Sequence, residues 1–411
     1  MSIKSRNDLI PVIVGGDIGA YALGREFHEA FGCTCISVNN GSIAAMKHSN
    51  IFRHRVVNQL DGPTIARVVT EIAQVHPQMK IALVANTDAL IESLIDAKSS
   101  LPANVVCPIP SRNAFNAVCD KISFSALCKK HGLDVPQMEV VSLAGTNPIA
   151  QTQIPFPVVA KPAVSAEYSS YLGRGFKKIY FIKNQSELSK LWINLREAGF
   201  SGEFLVQELI GGDDTYMDSL TLYIGGDGSP RLLGAAQVLL EDHAPTMVGN
   251  PVSMMIRKKP ELWEKATRML VDVGYRGFAN FDVKRDPKTS RELFLDCNPR
   301  IGRNSYYNAL AGVNPMEVMV REAIDGTKDE VKIAGRAGLY TLVPLKLLRR
   351  YIRSKELSAE MEGYIKQGLV ADPQRYSADW GLRRRFDVEI TEINQFNKFK
   401  KYYPQPTDTS F

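Results

Sequence analysis

The chain lacks any apolar run approaching the ~20 residues that a membrane-spanning helix requires. It also lacks a C-x-x-C pair and any cysteine–histidine spacing suited to zinc. Its six cysteines, Cys33, Cys35, Cys107, Cys119, Cys128 and Cys297, are scattered over 411 residues. That excludes a disulfide scaffold and suggests inert, buried thiols in a reducing cytosol. Internal repeats and low-complexity segments are absent. The opening "MSIKSRNDLIPVIVGG" has one short apolar segment and no small-residue cleavage site, so it reads as a first strand rather than a signal peptide.

One more absence matters. The first strand runs into glycines, Gly15, Gly16 and Gly19, but the spacing is not the G-x-G-x-x-G of dinucleotide folds. The next strand ends in Asn39 and Asn40, where a ribose-binding acid would be expected. Both departures argue against a nicotinamide cofactor.

A net excess of charge is absent until the C-terminal fifth, because residues 1–330 are formally neutral. The formal charge of +6 is carried from Val331 onward, where 15 Lys and Arg stand against 9 Asp and Glu. A basic segment suits an acidic partner, or is simply a solvated face. The "RRR" at Arg383–Arg385 lacks a nucleic-acid recognition motif around it, so no nucleic-acid partner is expected. Hydrophobic residues at 45% and charged residues at 23% are ordinary for a globular, cytoplasmic protein.

Residues 1–115 alternate strand-like segments ("PVIVGG", "CTCISVNN", "HRVVNQ", "KIALVAN", "NVVCPIP") with helical patterns, which predicts a parallel α/β sheet. From 116 the pattern changes to α+β. "NAVCDKISFSALCKKHG" reads as one helix, "FPVVAKPA" as a strand, "VSAEYSSYLGRGFKKIYFI" as a polar hairpin and "EFLVQELI" as a strand. Two hairpins follow, turning near Gly225–Pro230 and Asp286–Ser290.

The second hairpin, "FDVKRDPKTSRELFLDCNPR", places Asp282 on one strand and Asp296 and Asn298 on the other. Residues two apart share a strand face, so three oxygens can converge. Such a set suits Mg²⁺ shared with phosphates, although acids on an exposed strand face are also common. Lys161 ends an apolar strand. It either reaches solvent or binds phosphate, because an unpaired buried lysine is costly. Lys121 is a second phosphate contact or an ordinary helix-surface lysine. Asp213 and Asp214, after a double glycine, are ribose ligands or turn caps.

The ordered set Lys121, "VVAKP", a Gly/Ser hairpin, "VQELIGGDD", "FDVKRD" and "LDCNPR" resembles the ATP-grasp superfamily over roughly Asn116–Asp325. The opening segment, "GDDTYMDSLTLYIGGDG" and the C-terminal "LVPLKLLRRYI" extend the likeness to the branch of D-aspartate ligases and related carboxylate–amine ligases. The resemblance implies a Rossmann-like (pre-ATP-grasp) domain at 1–115 and ATP-grasp subdomains at 116–204 and 205–330. A basic extension then fills 331–411. It implies ATP and Mg²⁺, two ions, with Lys121 and Lys161 on the phosphates. Ser165–Phe176 would be a lid that brings Ser165 and Arg174 to the triphosphate. Gln207, Glu208 and Ile210 would form the adenine hinge, Asp214 the ribose acid, and Asp282, Asp296 and Asn298 the metal ligands. Arg300 would act with Lys161 on the reacting group. Arg303, Asn304, Tyr306 and Asp17 would meet substrate, with packing as the alternative for Arg303 and Tyr306, and a plain helix-starting turn as the alternative for Asp17.

The implied reaction is ATP-dependent amide formation through an acyl phosphate, joining D-aspartate to the lysine side chain of a UDP-linked muramoyl pentapeptide. Another amino acid or amine acceptor, an ATP-grasp kinase and a non-catalytic ATP-binding protein are the alternatives. A homodimer is left open. One departure is Asp296, where many relatives carry Glu.

Overall fold

The computed structural model describes residues 5–245 and 247–409; the side chains of Ser165, Ala166 and Ser169 also lie outside the description. Its first layer is a five-stranded parallel sheet in the order β3-β2-β1-β4-β5. The strands are β1 (Leu9–Val14), β2 (Cys35–Asn39), β3 (Phe52–Val56), β4 (Lys80–Ala85) and β5 (Val105–Val106). Helices α1 (Ile18–Phe31), α2 (Ala44–Lys47), α3 (Gly62–Val75) and α4 (Asp88–Ala97) connect them. In such a sheet the crevice for ligands lies beyond the carboxyl ends of the strands, where the order reverses between β1 and β4. The glycine turn sits there. Gly15 has φ of 131°, and a Cβ on Gly16 would stand 2.1 Å from the Gly41 carbonyl oxygen.

The single helix expected over 116–132 is two helices, α5 (Arg112–Cys119) and α6 (Lys121–Lys130). Asp120 breaks them apart. Its carboxylate accepts from Ser123 N at 2.8 Å and so caps α6. Lys121 thereby becomes the first residue of a new helix.

A four-stranded antiparallel sheet follows, in the order β6-β9-β7-β8. It comprises β6 (Met138–Ser142), β7 (Val158–Pro162), β8 (Tyr180–Ile182) and β9 (Glu203–Glu208), with α7 (Ser165–Leu172) and α8 (Gln185–Glu197). The lid expected as a loop therefore begins as a helix. Tyr168 anchors that helix, packing against Phe200 and Phe204. The division expected at 204/205 falls inside β9, which pairs with β6 and β7 to its end.

The remaining strands build one eight-stranded sheet, β14-β13-β10-β11-β12-β16-β17 with β15 beside β11. Its elements are β10 (Met217–Ile224), β11 (Pro230–Asp242), β12 (Asn250–Arg257), α9 (Pro260–Asp272), β13 (Gly277–Arg285), β14 (Glu292–Asn298), α10 (Tyr306–Leu310) and α11 (Pro315–Ala323). They continue with β15 (Lys332–Ala334), β16 (Leu339–Thr341), α12 (Leu345–Leu348), α13 (Lys355–Lys366), β17 (Val370–Ala371) and α14 (Leu382–Tyr402). The segment 331–411 is therefore not an appendage. It gives three strands to this sheet, and Leu348, Met361 and Phe399 share one core with Tyr21 and Phe27 of α1 and with Met254 of β12. Burying each such side chain contributes roughly 1.5–3 kcal/mol, which welds the N-terminal sheet to the large one.

Candidate active site

A cleft of about 1060 Å³ runs between the three sheets. Its floor follows from strand alternation. On β13, Asn280, Asp282 and Lys284 face the cleft, while Ala279, Phe281 and Val283 pack into the core with Phe124 and Phe294. Asp282 lies directly across from Asp296 on β14. A bulge follows, because Val283 pairs with Phe294 and leaves Leu295 over. The bulge lets Leu293 and Phe294 both turn inward and still aims Asp296 and Asn298 at the cleft.

Asn298 Nδ2 donates to Asp282 Oδ2 at 3.1 Å, and Asn298 Oδ1 accepts from Arg300 Nη2 at 2.9 Å. The three expected oxygen ligands and Arg300 are thus brought together. Burial and the neighbouring Asp296 push the Asp282 carboxyl up to about 6. Burial pushes Asp296 the same way, but Lys121 and Lys161 outweigh it and hold that carboxyl below its usual value. Two Asp and one Asn make a hard, all-oxygen set. Among the described residues there is no cluster of three or more His, Cys, Asp or Glu to compete with it.

Both lysines line the cleft. Lys121, at the start of α6, reaches Asp296 Oδ2 at 3.3 Å. Lys161 faces the cleft with Val159, while Val158 and Ala160 turn inward. Among the described residues no carboxylate lies within ion-pair distance of Lys161. Burial and then Lys121 lower its ammonium to about 8. A cation held in this way is completed by an arriving polyanion.

Gln207, Glu208 and Ile210 line the far end, at the exit of β9. Asp214 does not. It is buried, its Oδ2 accepts from Glu241 N at 2.8 Å and His243 Nε2 at 3.0 Å, and its Oδ1 has no partner among the described residues. Asp214 pins the end of β11, and Glu241 projects into the cleft there, beside Lys284. Burial and Asp214 push the Glu241 carboxyl up, and Lys284 opposes them.

Arg174 is also turned away. It donates to Ala198 O at 2.9 Å and lies over the Tyr171 ring. Ser165 opens α7, and its side chain lies outside the described residues. On the other wall, Arg303 and Asn304 line the cleft. Arg303 Nε meets Asp17 Oδ2 at 3.2 Å, and Asp17 Oδ1 caps α1 through Ala20 N at 2.9 Å. Asp17 stands behind Arg303, outside the cleft lining. Tyr306 is a packing residue, because its hydroxyl donates to Glu29 at 2.8 Å and its ring lies under Arg25.

The basic run Arg383–Arg385 is broken up by burial. Arg384 is fully buried, donating to the carbonyls of Ala45, Asp379 and Gln374 and pairing with Asp379 at 3.1 Å. Arg385 pairs with Glu389 at 3.0 Å. Sequence reasoning missed Asp88, Glu92, Lys178, Glu241 and Lys284, all in the cleft lining. Asp88 carries a signal that could have found it. It follows Thr87 at the carboxyl end of β4, beside the strand-order reversal.

No family model matches the chain. It is 28% identical over 415 residues to the D-aspartate ligase of Enterococcus faecium (strain Aus0004), covering 98% of this chain and 99% of that one. Among solved structures it resembles biotin carboxylase from Campylobacter jejuni with a TM-score of 0.56 at 17% identity, covering 78% of this chain and 72% of the other. It resembles N5-carboxyaminoimidazole synthetase from Staphylococcus aureus with a TM-score of 0.56 at 11% identity and 80% of each chain. The L-amino acid ligase of Bacillus licheniformis gives a TM-score of 0.52 at 15% identity, over 78% of this chain and 75% of the other. These likenesses show the fold. No helix among the described residues is long and apolar enough to cross a membrane.

Proposed function

We propose that this chain, an ATP-grasp carboxylate–amine ligase related to D-aspartate ligase, activates the β-carboxylate of D-aspartate and joins it to the lysine amine of a UDP-linked muramoyl peptide. The observation that carries the ligase chemistry is the facing pair Asp282 and Asp296, with Asn298 and Lys161 in one cleft. The choice of D-aspartate rests on the whole-length kinship with the enterococcal enzyme.

The residues fit an ATP site. Lys121 and Lys161 would hold the phosphates, and the backbone from Gln207 to Ile210 would meet the adenine. Glu241 replaces Asp214 as the carboxylate for ribose hydroxyls. Asp282, Asp296 and Asn298 would hold Mg²⁺, which supplies Lewis-acid stabilisation of the transferring phosphoryl group. A carboxylate attacking a triphosphate brings like charges together, and Lys161 and Arg300 offset that repulsion. Arg300 then steadies the acyl phosphate, and Arg303 with Asn304 orients the amino acid. Exclusion of water protects the acyl phosphate until the amine attacks.

The test is ADP release over a panel of D- and L-amino acids, with and without UDP-muramoyl pentapeptide, followed by mass spectrometry. D-Aspartate- and acceptor-dependent ADP release with a product one aspartyl residue heavier is expected. Turnover with a different acid would move the substrate. A phosphorylated product with no new amide would replace the ligase with a kinase.

A further inference from the structure

The helix α14 carries two faces. One packs inward through Arg384, Val388 and Phe399. The other presents Leu382 at 88% exposure, Phe386 at 64%, Ile390 at 40% and Ile393 at 63%. Spacings of four, four and three residues put these four side chains on one stripe of the helix. At 1.5 Å per residue the stripe is about 16 Å long. Single exposed apolar side chains are ordinary, but a continuous stripe of four large ones on one helix marks a contact surface.

We propose that this stripe is a dimerisation surface, packing antiparallel against the same stripe of a second copy of this chain.

The occupant is argued from self-complementarity. With the two-fold axis near Asp387 and Val388, Leu382 meets Ile393 of the partner subunit and Phe386 meets Ile390 of the partner subunit. One edge of the stripe carries Arg385 and Glu389, already paired at 3.0 Å. In an antiparallel pair this edge meets itself reversed, so each Arg385 faces Glu389 of the partner subunit and four charges alternate in sign. A parallel pair would instead set the edge bearing Arg383 against the edge bearing Arg385, like against like. The carboxylates also argue against a membrane surface as the occupant. Helices that lie on anionic lipid keep a basic polar face, whereas Glu389 and Glu392 flank this stripe. Arg384 and the Lys398–Asp242 contact at 2.6 Å hold α14 rigidly to the body, so the surface is already organised before it is covered.

The test is sedimentation of the full chain at micromolar concentration, which does not depend on the ligase reading. The native chain is expected to sediment as a dimer. Phe386→Asp and Ile393→Asp are expected to give monomers that keep the native circular dichroism spectrum, since both side chains are exposed. Arg385→Glu should weaken the dimer by about tenfold or more, and Arg385→Glu with Glu389→Arg should restore it. A native chain that stays monomeric would overturn the proposal, as would a dimer that survives Phe386→Asp. So would a monomer that binds vesicles of anionic phospholipid through the stripe. Failure of the double charge swap to restore the dimer would overturn the antiparallel arrangement.

Discussion

Arg300 Nε donates to Asp88 Oδ1 at 3.0 Å, tying the loop after β14 to the first turn of α4. The contact bridges two sheets, and Asn298 holds the other edge of the same guanidinium. If Arg300 steadies the reacting group, Asp88 sets its orientation. Asp88→Asn is expected to lower kcat by ~10-fold, about 1.4 kcal/mol, with KM for ATP nearly unchanged. Steady-state kinetics decide it, and an equal effect on both parameters would remove Asp88 from this role.

The oxygen set makes a metal prediction. Asp282→Asn and Asp296→Asn should each lower ADP release by ~100-fold or more, and chelation of Mg²⁺ should abolish it in the native enzyme. Lys161→Ala should do likewise, because no other cation stands in its place on β7. Circular dichroism would show that the variants fold. Near-normal turnover in any of the three would unseat the assignment.

Glu241 is expected to read the ribose. The native enzyme should then bind ATP more tightly than 2′-deoxy-ATP, and Glu241→Ala should lose most of that preference while still binding nucleotide. Calorimetric titration with both nucleotides measures this. A preference left intact would return the role to another group.

Two adjacent arginines should behave oppositely. Arg384 is buried with Asp379, whose carboxylate also accepts from Tyr21 at 2.9 Å and Ser49 at 2.6 Å. Arg384→Leu leaves that carboxylate without its cation and is expected to cost about 3–5 kcal/mol. Arg383→Ala is exposed and should stay within ~0.5 kcal/mol. Urea unfolding compares them. Equal effects would mean that the buried pair does not brace α14.

Burial pushes the Asp372 carboxyl up to about 7. A carboxyl raised in the folded state keeps its proton there while the unfolded chain has lost it. Stability from this group therefore falls as pH rises from about 4, the unfolded value, to about 7. Asp372→Asn should flatten that slope and raise the thermal midpoint near pH 7. Melting curves across that interval test the sign, and parallel curves for both proteins would contradict it.

The chain order of motifs, and the alternation that puts Asp282, Asp296 and Asn298 on one face, were readable from the sequence because strand geometry has a period of two. The hairpin turn was readable because Asp286–Ser290 has turn chemistry between two apolar runs. The five parallel strands followed from alternation with helices. Lys121 and Lys161 could be named as cleft lysines only because the order of motifs resembled a known superfamily.

Other outcomes depended on contacts between residues far apart in the chain. Whether Asp214 faces ribose or pins β11 depends on where His243 and the Glu241 amide fall, and no local pattern fixes that. Arg174, Tyr306 and Arg384 read as polar, available side chains, but each found a partner inside the body, through Ala198, Glu29 and Asp379 respectively. Charge in a sequence says that a group must be satisfied. Only packing decides whether a ligand, a carbonyl or a carboxylate satisfies it. The C-terminal segment shows the same division. Its basic composition came from the sequence, while its place in the eight-stranded sheet came from burying Leu348, Met361 and Phe399 against residues more than 300 positions away, such as Tyr21 and Phe27.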